Sequence, residues 1–194
     1  YRSKRKEGIY QLERITTDSK DIVRDVLSNT GFQRYKNGQL VSVPDSMALR
    51  YSNSVNSVHY FAQLPYGLNA PAAQKEFLGV DTIRGELYFE IGISFLETGG
   101  GTDFQDEFVY WIHQDNYTID YLAYNYETDG GGIRFREAYN SRMVNGIRFV
   151  DYNNFKPDPE NLSIDLTTLS DKFHRGELKL LSKIETESVT VKVY

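Results

Sequence analysis

The sequence predicts a mainly β fold with a few helices, an α+β chain built from antiparallel strands. Residues 87–95 alternate apolar and polar side chains, which is the period of two that a strand with one buried face requires. Asn37-Gly38 and Asn145-Gly146 each separate two strand-like segments, and Asn-Gly at such a place is a strong hairpin signal. Tyrosine and phenylalanine, which favour pleated surfaces, number 15 and 11.

The first part of the chain predicts a small sheet followed by one helix. Short alternating segments indicate strands over residues 8–16, 22–28, 32–35 and 40–43. After Pro44 the period changes, and an apolar stripe at helical spacing predicts a helix over residues 44–63; its members are Met47, Tyr51, Val55, Val58 and Ala62. Because the rest of this helix is polar, we expect packing on an apolar sheet face to hold it in place.

The remainder of the chain predicts a longer antiparallel sheet. Strands are expected over residues 77–85, 87–95, 108–112, 121–126, 133–139, 147–152, 178–184 and 189–193, with a short helix over 166–173. Glycine triplets at 99–101 and 130–132 supply turns between strands, since glycine adopts positive φ without steric cost. No linker or shift in composition divides the chain, so we predict a single domain over residues 1–194.

Composition excludes several classes of function. A net charge of -5 argues against a nucleic-acid binder, which needs a basic surface. The chain has no cysteine, so disulfides and thiolate metal sites are excluded. No apolar run approaches the roughly 20 residues that a membrane-spanning helix needs. The chain begins within a strand-like segment and without a leader, which favours the soluble part of a longer precursor.

The charged residues near the glycine turns admit two interpretations. Asp103, Asp106 and Glu107 could form an acid–base or metal site, but their spacing does not match a calcium loop. Ion pairing with Arg134 and Arg136, which follow the second triplet, is the more economical interpretation. The three histidines have no zinc-like spacing, and no nucleophile motif is present. We therefore expect no catalytic residue, no metal and no cofactor.

Longer segments resemble known families. The segments "VYWIHQDNYTIDYLAYNY" and "GGGIRFREAYNSRMVNGIRFVDYNNFKP" are similar in layout to the second half of bacterial lipoprotein carriers of the LolA/LolB type. The segments "DVLSNTGFQRY", "VPDSMALRYSNSVNSVHYFAQLPYGLNAP" and "GGGIRFREAYN" resemble a family of uncharacterised bacterial envelope lipoproteins. Some members of that family carry the label deoxyribose-phosphate aldolase. That enzyme needs a (β/α)₈ barrel and a Schiff-base lysine, and this chain lacks the strand–helix alternation.

The resemblance implies a half-open antiparallel β-barrel whose concave face is covered by helices. It also implies a periplasmic or outer-membrane-anchored protein, which reaches the membrane only through an upstream lipid anchor absent from this chain. The loop pattern of the carriers has an Asp at the position that His113 occupies here. We expect a monomer.

The function expected from these features is non-enzymatic binding of a hydrophobic small molecule or lipid. The apolar wall of the binding site is predicted to consist of Leu87, Phe89, Ile91, Ile93, Phe95, Val109 and Trp111, with Met47, Tyr51, Val55 and Val58 as a helical lid and Asp103, Asp106, Arg134 and Arg136 as a polar rim. One alternative is a hydrolase-type enzyme that uses Asp103, Asp106 or His113. The other is an envelope scaffold that uses its sheet edges and binds no ligand.

Overall fold

The computed structural model describes residues 1–101, 104–127, 130–158 and 163–193. The protein is mainly β, with two α-helices in the described residues, so the predicted class is confirmed. The chain forms two compact units, residues 1–66 and residues 67–194. Each contains one antiparallel sheet, and neither sheet closes on itself within the part of the chain that the structure describes.

The first unit is a five-stranded meander and one helix. Its sheet has the order β1-β2-β3-β4-β5 and is followed by α1; the elements are β1 (Arg2–Lys6), β2 (Ile9–Asp18), β3 (Asp21–Ser28), β4 (Gly31–Lys36), β5 (Gln39–Val41) and α1 (Asp45–Ala62). Asn37 and Gly38 join β4 to β5 with φ of 51° and 83°, so the predicted hairpin is confirmed. Pro44 caps the start of α1, as its fixed φ allows.

Besides apolar packing of the kind that the sequence predicts, such as that of Tyr51 on Phe32 of β4, a buried ionic cluster joins α1 to this sheet. The carboxylate of Asp25 is 1% exposed and accepts hydrogen bonds from Arg34 Nε at 2.6 Å and Arg14 Nη2 at 2.8 Å. From the helix, the Tyr51 ring lies 3.4 Å from the Arg34 guanidinium carbon, and Ser54 Oγ accepts from Arg14 Nη1 at 2.5 Å. Ser54, one of the polar residues that weaken α1 as an isolated helix, therefore helps to anchor it to the strands.

Replacing Asp25 is expected to destabilise the first unit strongly. Asp25→Asn leaves two arginines in a water-poor interface without their counter-charge, which costs about 3–5 kcal/mol in other buried pairs. Asp21→Asn, which breaks the exposed pair with Lys36, is the matched control and should change stability little. Urea unfolding of both variants measures the difference; equal effects would contradict the role given to Asp25.

The same cluster makes the stability of the first unit depend on pH. Burial pushes the pKa of Asp25 upward, but the hydrogen bonds from Arg34 and Arg14 outweigh it and hold the pKa below its ordinary value. The native state therefore binds this proton less readily than the unfolded chain does. The stabilisation that ionised Asp25 gives to the first unit is complete above the pKa of the unfolded chain, about 4. It is lost as the pH falls through the lower pKa that Asp25 has in the native state.

The second unit is a seven-stranded meander. The sheet has the order β12-β11-β10-β9-β8-β7-β6, and its strands are β6 (Ala73–Ile83), β7 (Glu86–Phe95), β8 (Phe108–His113), β9 (Ile119–Tyr126), β10 (Gly132–Val144), β11 (Ile147–Pro157) and β12 (Leu178–Ile184). A 3₁₀ turn (Leu166–Thr168) runs directly into α2 (Leu169–His174). The Asn145-Gly146 hairpin is confirmed, whereas the strand predicted over residues 189–193 does not form.

The core of the second unit lies on the side of the sheet that carries the 3₁₀ turn and α2, which we call the helix face. Its buried members are Ile83, Tyr88, Val109, Trp111, Tyr121, Ala123, Ile133, Phe135, Leu166 and Leu169. Phe173 of α2 packs on the rings of Phe135 and Phe155, with centroids 5.0 Å and 5.3 Å away. None of the described helices is long and apolar enough to cross a membrane.

Candidate functional site

The strand register divides the predicted apolar wall between two faces of the second sheet. Residues directly opposite each other in an antiparallel pair point to the same side. Trp111 pairs with Glu90 and Val109 with Gly92, so both lie on the helix face and are buried in its core. The other five predicted wall residues occupy the opposite face: Leu87, Phe89, Ile91, Ile93 and Phe95. The seven residues therefore do not form one surface.

On the opposite face, only one end of the predicted wall is open to solvent. Ile93 is buried and Phe95 partly buried. Leu87 is 50% exposed, and Phe89 and Ile91 are partly exposed. The accessible part of the wall therefore lies in the β6–β7 hairpin, toward the start of β7.

Strand β6 adds two exposed apolar side chains beside these residues. Phe77 pairs with Ile91 and Val80 with Phe89, and the Phe77 and Phe89 ring centroids are 6.4 Å apart. Phe77 is 63% exposed and Val80 is 54% exposed. We call the five side chains Phe77, Val80, Leu87, Phe89 and Ile91 the hairpin surface.

A β-bulge produces this surface, and because it interrupts the alternation of β6, the sequence pattern does not indicate Phe77 and Val80 as members. The register shifts between Phe77 and Gly79, so Leu78 is an extra residue without an opposite partner. Leu78 packs on Gly92, where an added Cβ would lie 3.3 Å from Leu78 Cδ1. The signal available in the sequence is Gly79 inside a strand-like run, which is typical of a bulge.

The helix face carries a group of polar side chains next to Trp111. Trp111 Nε1 donates to Asp81 Oδ2 at 2.8 Å. Glu90 lies opposite Trp111 in the ladder, and its Oε1 is buried with no hydrogen-bond partner among the described residues. Burial raises the pKa of Glu90 to about 7, and repulsion from Asp81 and from two aspartates of the 165–171 segment adds to the shift.

His113, one candidate of the hydrolase hypothesis, is used to hold its own loop. Its Nδ1 accepts from the backbone amides of Asp115 at 3.2 Å and Asn116 at 3.4 Å. Its Nε2 lies 3.6 Å from Glu86 Oε2, and its ring packs edge-on against Tyr88. No set of three or more metal-ligating side chains occurs in the described ranges.

The predicted polar rim is only partly described. Asp103 lies outside the described residues. Arg134 Nη2 donates to the Tyr126 hydroxyl at 2.6 Å, and Arg136 Nη2 donates to the Tyr124 hydroxyl at 2.7 Å. Ion pairing of these arginines with the acidic residues near the first glycine turn, Asp106 included, stays a prediction.

The predicted lid residues are all on α1, in the first unit. Val55 is fully buried, and Tyr51 packs on Phe32 of β4 with ring centroids 6.2 Å apart. Met47 and Val58 are partly buried. The contacts of α1 described within its unit are with β2, β3 and β4, and its action as a lid stays a prediction.

One family model matches the chain, over residues 7–186, and its description is a family of unknown function, DUF6503. The chain belongs to this family. Its description names neither a lipoprotein, a LolA-type carrier nor an aldolase, so those resemblances stay predictions. No curated protein and no solved structure matches the chain significantly.

Removing the ring that anchors α2 is expected to loosen the helix face. Phe173→Ala deletes contacts with Phe135, Phe155 and Tyr121, and a Phe→Ala change in a core costs about 3–5 kcal/mol, less where the ring is partly exposed. Hydrogen exchange should accelerate in residues 166–176 before it does in β9. Uniform acceleration across the second unit would show that α2 does not open separately.

Proposed function

We propose that this protein binds a hydrophobic or lipid-like molecule without catalysing a reaction, and that the hairpin surface is the binding site. One observation carries the proposal: five apolar side chains share one face of the β6–β7 hairpin, and three of them are half or more exposed. Contiguous apolar exposure of this kind commonly marks an interaction or ligand site.

The physical driving force is the removal of this surface from water. Each methylene of a bound acyl chain contributes about 0.8 kcal/mol when buried. A chain of about ten methylenes along the two strands would supply about 8 kcal/mol, part of which is lost to the entropy of association. No charged partner is required, which fits a surface whose members are all apolar.

The proposal includes a location in the cell envelope, either periplasmic or anchored to the outer membrane. Its support is the resemblance of the longer segments to envelope lipoproteins. Fractionation of the native host, followed by immunoblotting, tests the location independently of ligand binding. Recovery in the cytoplasmic fraction would contradict it.

Two substitutions in the hairpin surface are expected to weaken ligand binding. The double variant Phe77→Ser/Val80→Ser removes two exposed apolar side chains without creating a core cavity. Titration with a fluorescent fatty-acid analogue should show an affinity roughly 10 to 100 times lower than that of the wild type. Full burial of an apolar side chain contributes about 1.5–3 kcal/mol, and because both side chains are already about half buried, the ligand gains roughly half of this from each.

The matched control is Leu180→Ser on β12, the strand at the other edge of the same sheet. Leu180 is 47% exposed, so the substitution removes a comparable apolar side chain at a distant place. It should leave the affinity unchanged. Equal losses in both variants, or no binding by the wild type, would refute the hairpin surface as the site.

A further inference from the structure

Glu90 occupies a place where an ionised carboxylate is poorly stabilised. Its Oε1 is shielded from solvent and has no hydrogen-bond partner in the described part of the chain. A carboxylate oxygen without water or a donor is costly to bury, and protonation removes most of that cost because the neutral acid is far less strongly hydrated.

The charged side chains that raise the pKa of Glu90 are all acidic. Strand β6 presents Asp81, the residue before the 3₁₀ turn is Asp165, and α2 presents Asp171. Strand β8 presents the Trp111 indole, whose N–H group is already donated to Asp81. Ionisation of Glu90 therefore adds a negative charge to a place that already holds three.

Two cationic side chains at α2, Arg84 over the Phe173 ring and Lys172 on the helix itself, are engaged elsewhere. Arg84 is paired with Glu137 and lies over the Phe173 ring, 5.0 Å from its centroid. Lys172 of α2 has its Nζ 3.5 Å from Glu177 Oε2. Neither pairing provides a counter-charge to Glu90.

Two of the three aspartates belong to the segment 165–174, which consists of the 3₁₀ turn, α2 and the cap before them. Helical structure of this length is not stable in isolation, so packing must hold the segment on the sheet. That packing comes from Leu166, Leu169 and Phe173. Repulsion between the sheet and the segment acts directly against it.

We propose that Glu90 is a proton-operated latch: in its protonated form it allows segment 165–174 to dock on the helix face, and in its ionised form it favours release of that segment. Release uncovers the aromatic core beneath, which includes Trp111, Tyr121 and Phe135. The latch acts on the side of β7 opposite the hairpin surface, so it does not depend on the function proposed for that surface.

The direction of the pH dependence follows from the two states of Glu90. In the docked state its pKa is about 7, and in the released state, where the carboxyl is hydrated, the pKa returns toward 4.5. Docking is therefore strongest below pH 4.5, weakens as the pH rises toward 7 and is constant above that. The full difference between these two pKa values corresponds to a roughly 300-fold change in the docking equilibrium. Because Glu90 is partly exposed, solvent screening reduces the change, and we expect at least about tenfold.

Hydrogen exchange with mass-spectrometric detection tests the latch on the full chain. Rates at pH 5 and pH 8 are corrected for the intrinsic pH dependence of amide exchange. Protection of residues 166–174 should fall at least about tenfold between pH 5 and pH 8, while protection of β9 stays constant. Emission of Trp111, the one tryptophan in the sequence, should shift to the red over the same range as water reaches the indole.

Glu90→Gln should abolish this pH dependence and keep the segment docked at both pH values. The matched control is Glu76→Gln, an exposed glutamate on β6, which should retain the wild-type behaviour. A wild type without pH-dependent protection, or a Glu90→Gln variant that keeps the wild-type dependence, overturns the proposal.

If the Glu90→Gln variant does not fold, Asp81→Asn provides a second test of the latch. The asparagine carbonyl can still accept from Trp111 Nε1, but the largest charge that repels an ionised Glu90 is gone. The midpoint of the pH transition in residues 166–174 should then move to lower pH. An unchanged midpoint overturns the latch.

Discussion

The second unit depends on the aromatic packing between α2 and the sheet. Phe173 lies against Phe135, Tyr121 and Phe155, and the two leucines beside it are buried in the same core. This packing is the means by which so short a helical segment stays in place. It also keeps water from the helix face, so the polar groups beneath, Glu90 above all, are held in an environment that raises the cost of charge.

Local signals were sufficient to predict most of the fold. Both Asn-Gly hairpins, the helix after Pro44 and most strands follow from spacing over a few residues. The face on which each strand packs could not be predicted in the same way. Strand β8 is buried on both sides, so its sequence contains no alternation, and only its register with β7 places Trp111 on the helix face.

The ionic cluster between α1 and its sheet could not be predicted from the sequence for a different reason. Asp25, Arg14 and Arg34 lie on three strands, and nothing in their separate surroundings indicates that the strands bring them together. The polar composition of α1 predicts an apolar partner, and Tyr51 does pack on Phe32, but it does not indicate that an ionic cluster adds to this contact. Hydrogen-bonded ion pairs out of water fix both geometry and orientation.

One face of β7 belongs to the apolar hairpin surface, and the other carries Glu90 next to acidic side chains. The bulge at Leu78 in β6 keeps the two sets of side chains on separate faces. In a regular ladder that continued from Phe77, Leu78 would lie opposite Glu90, and Val80 would lie opposite Tyr88 and point toward the helix face. The bulge returns Val80 to the side of Phe77, and Leu78 is accommodated because Gly92 has no side chain. The apolar hairpin surface and the acidic group around Glu90 therefore occupy the same two strands without mixing, because the bulge keeps their side chains on separate sides of the sheet.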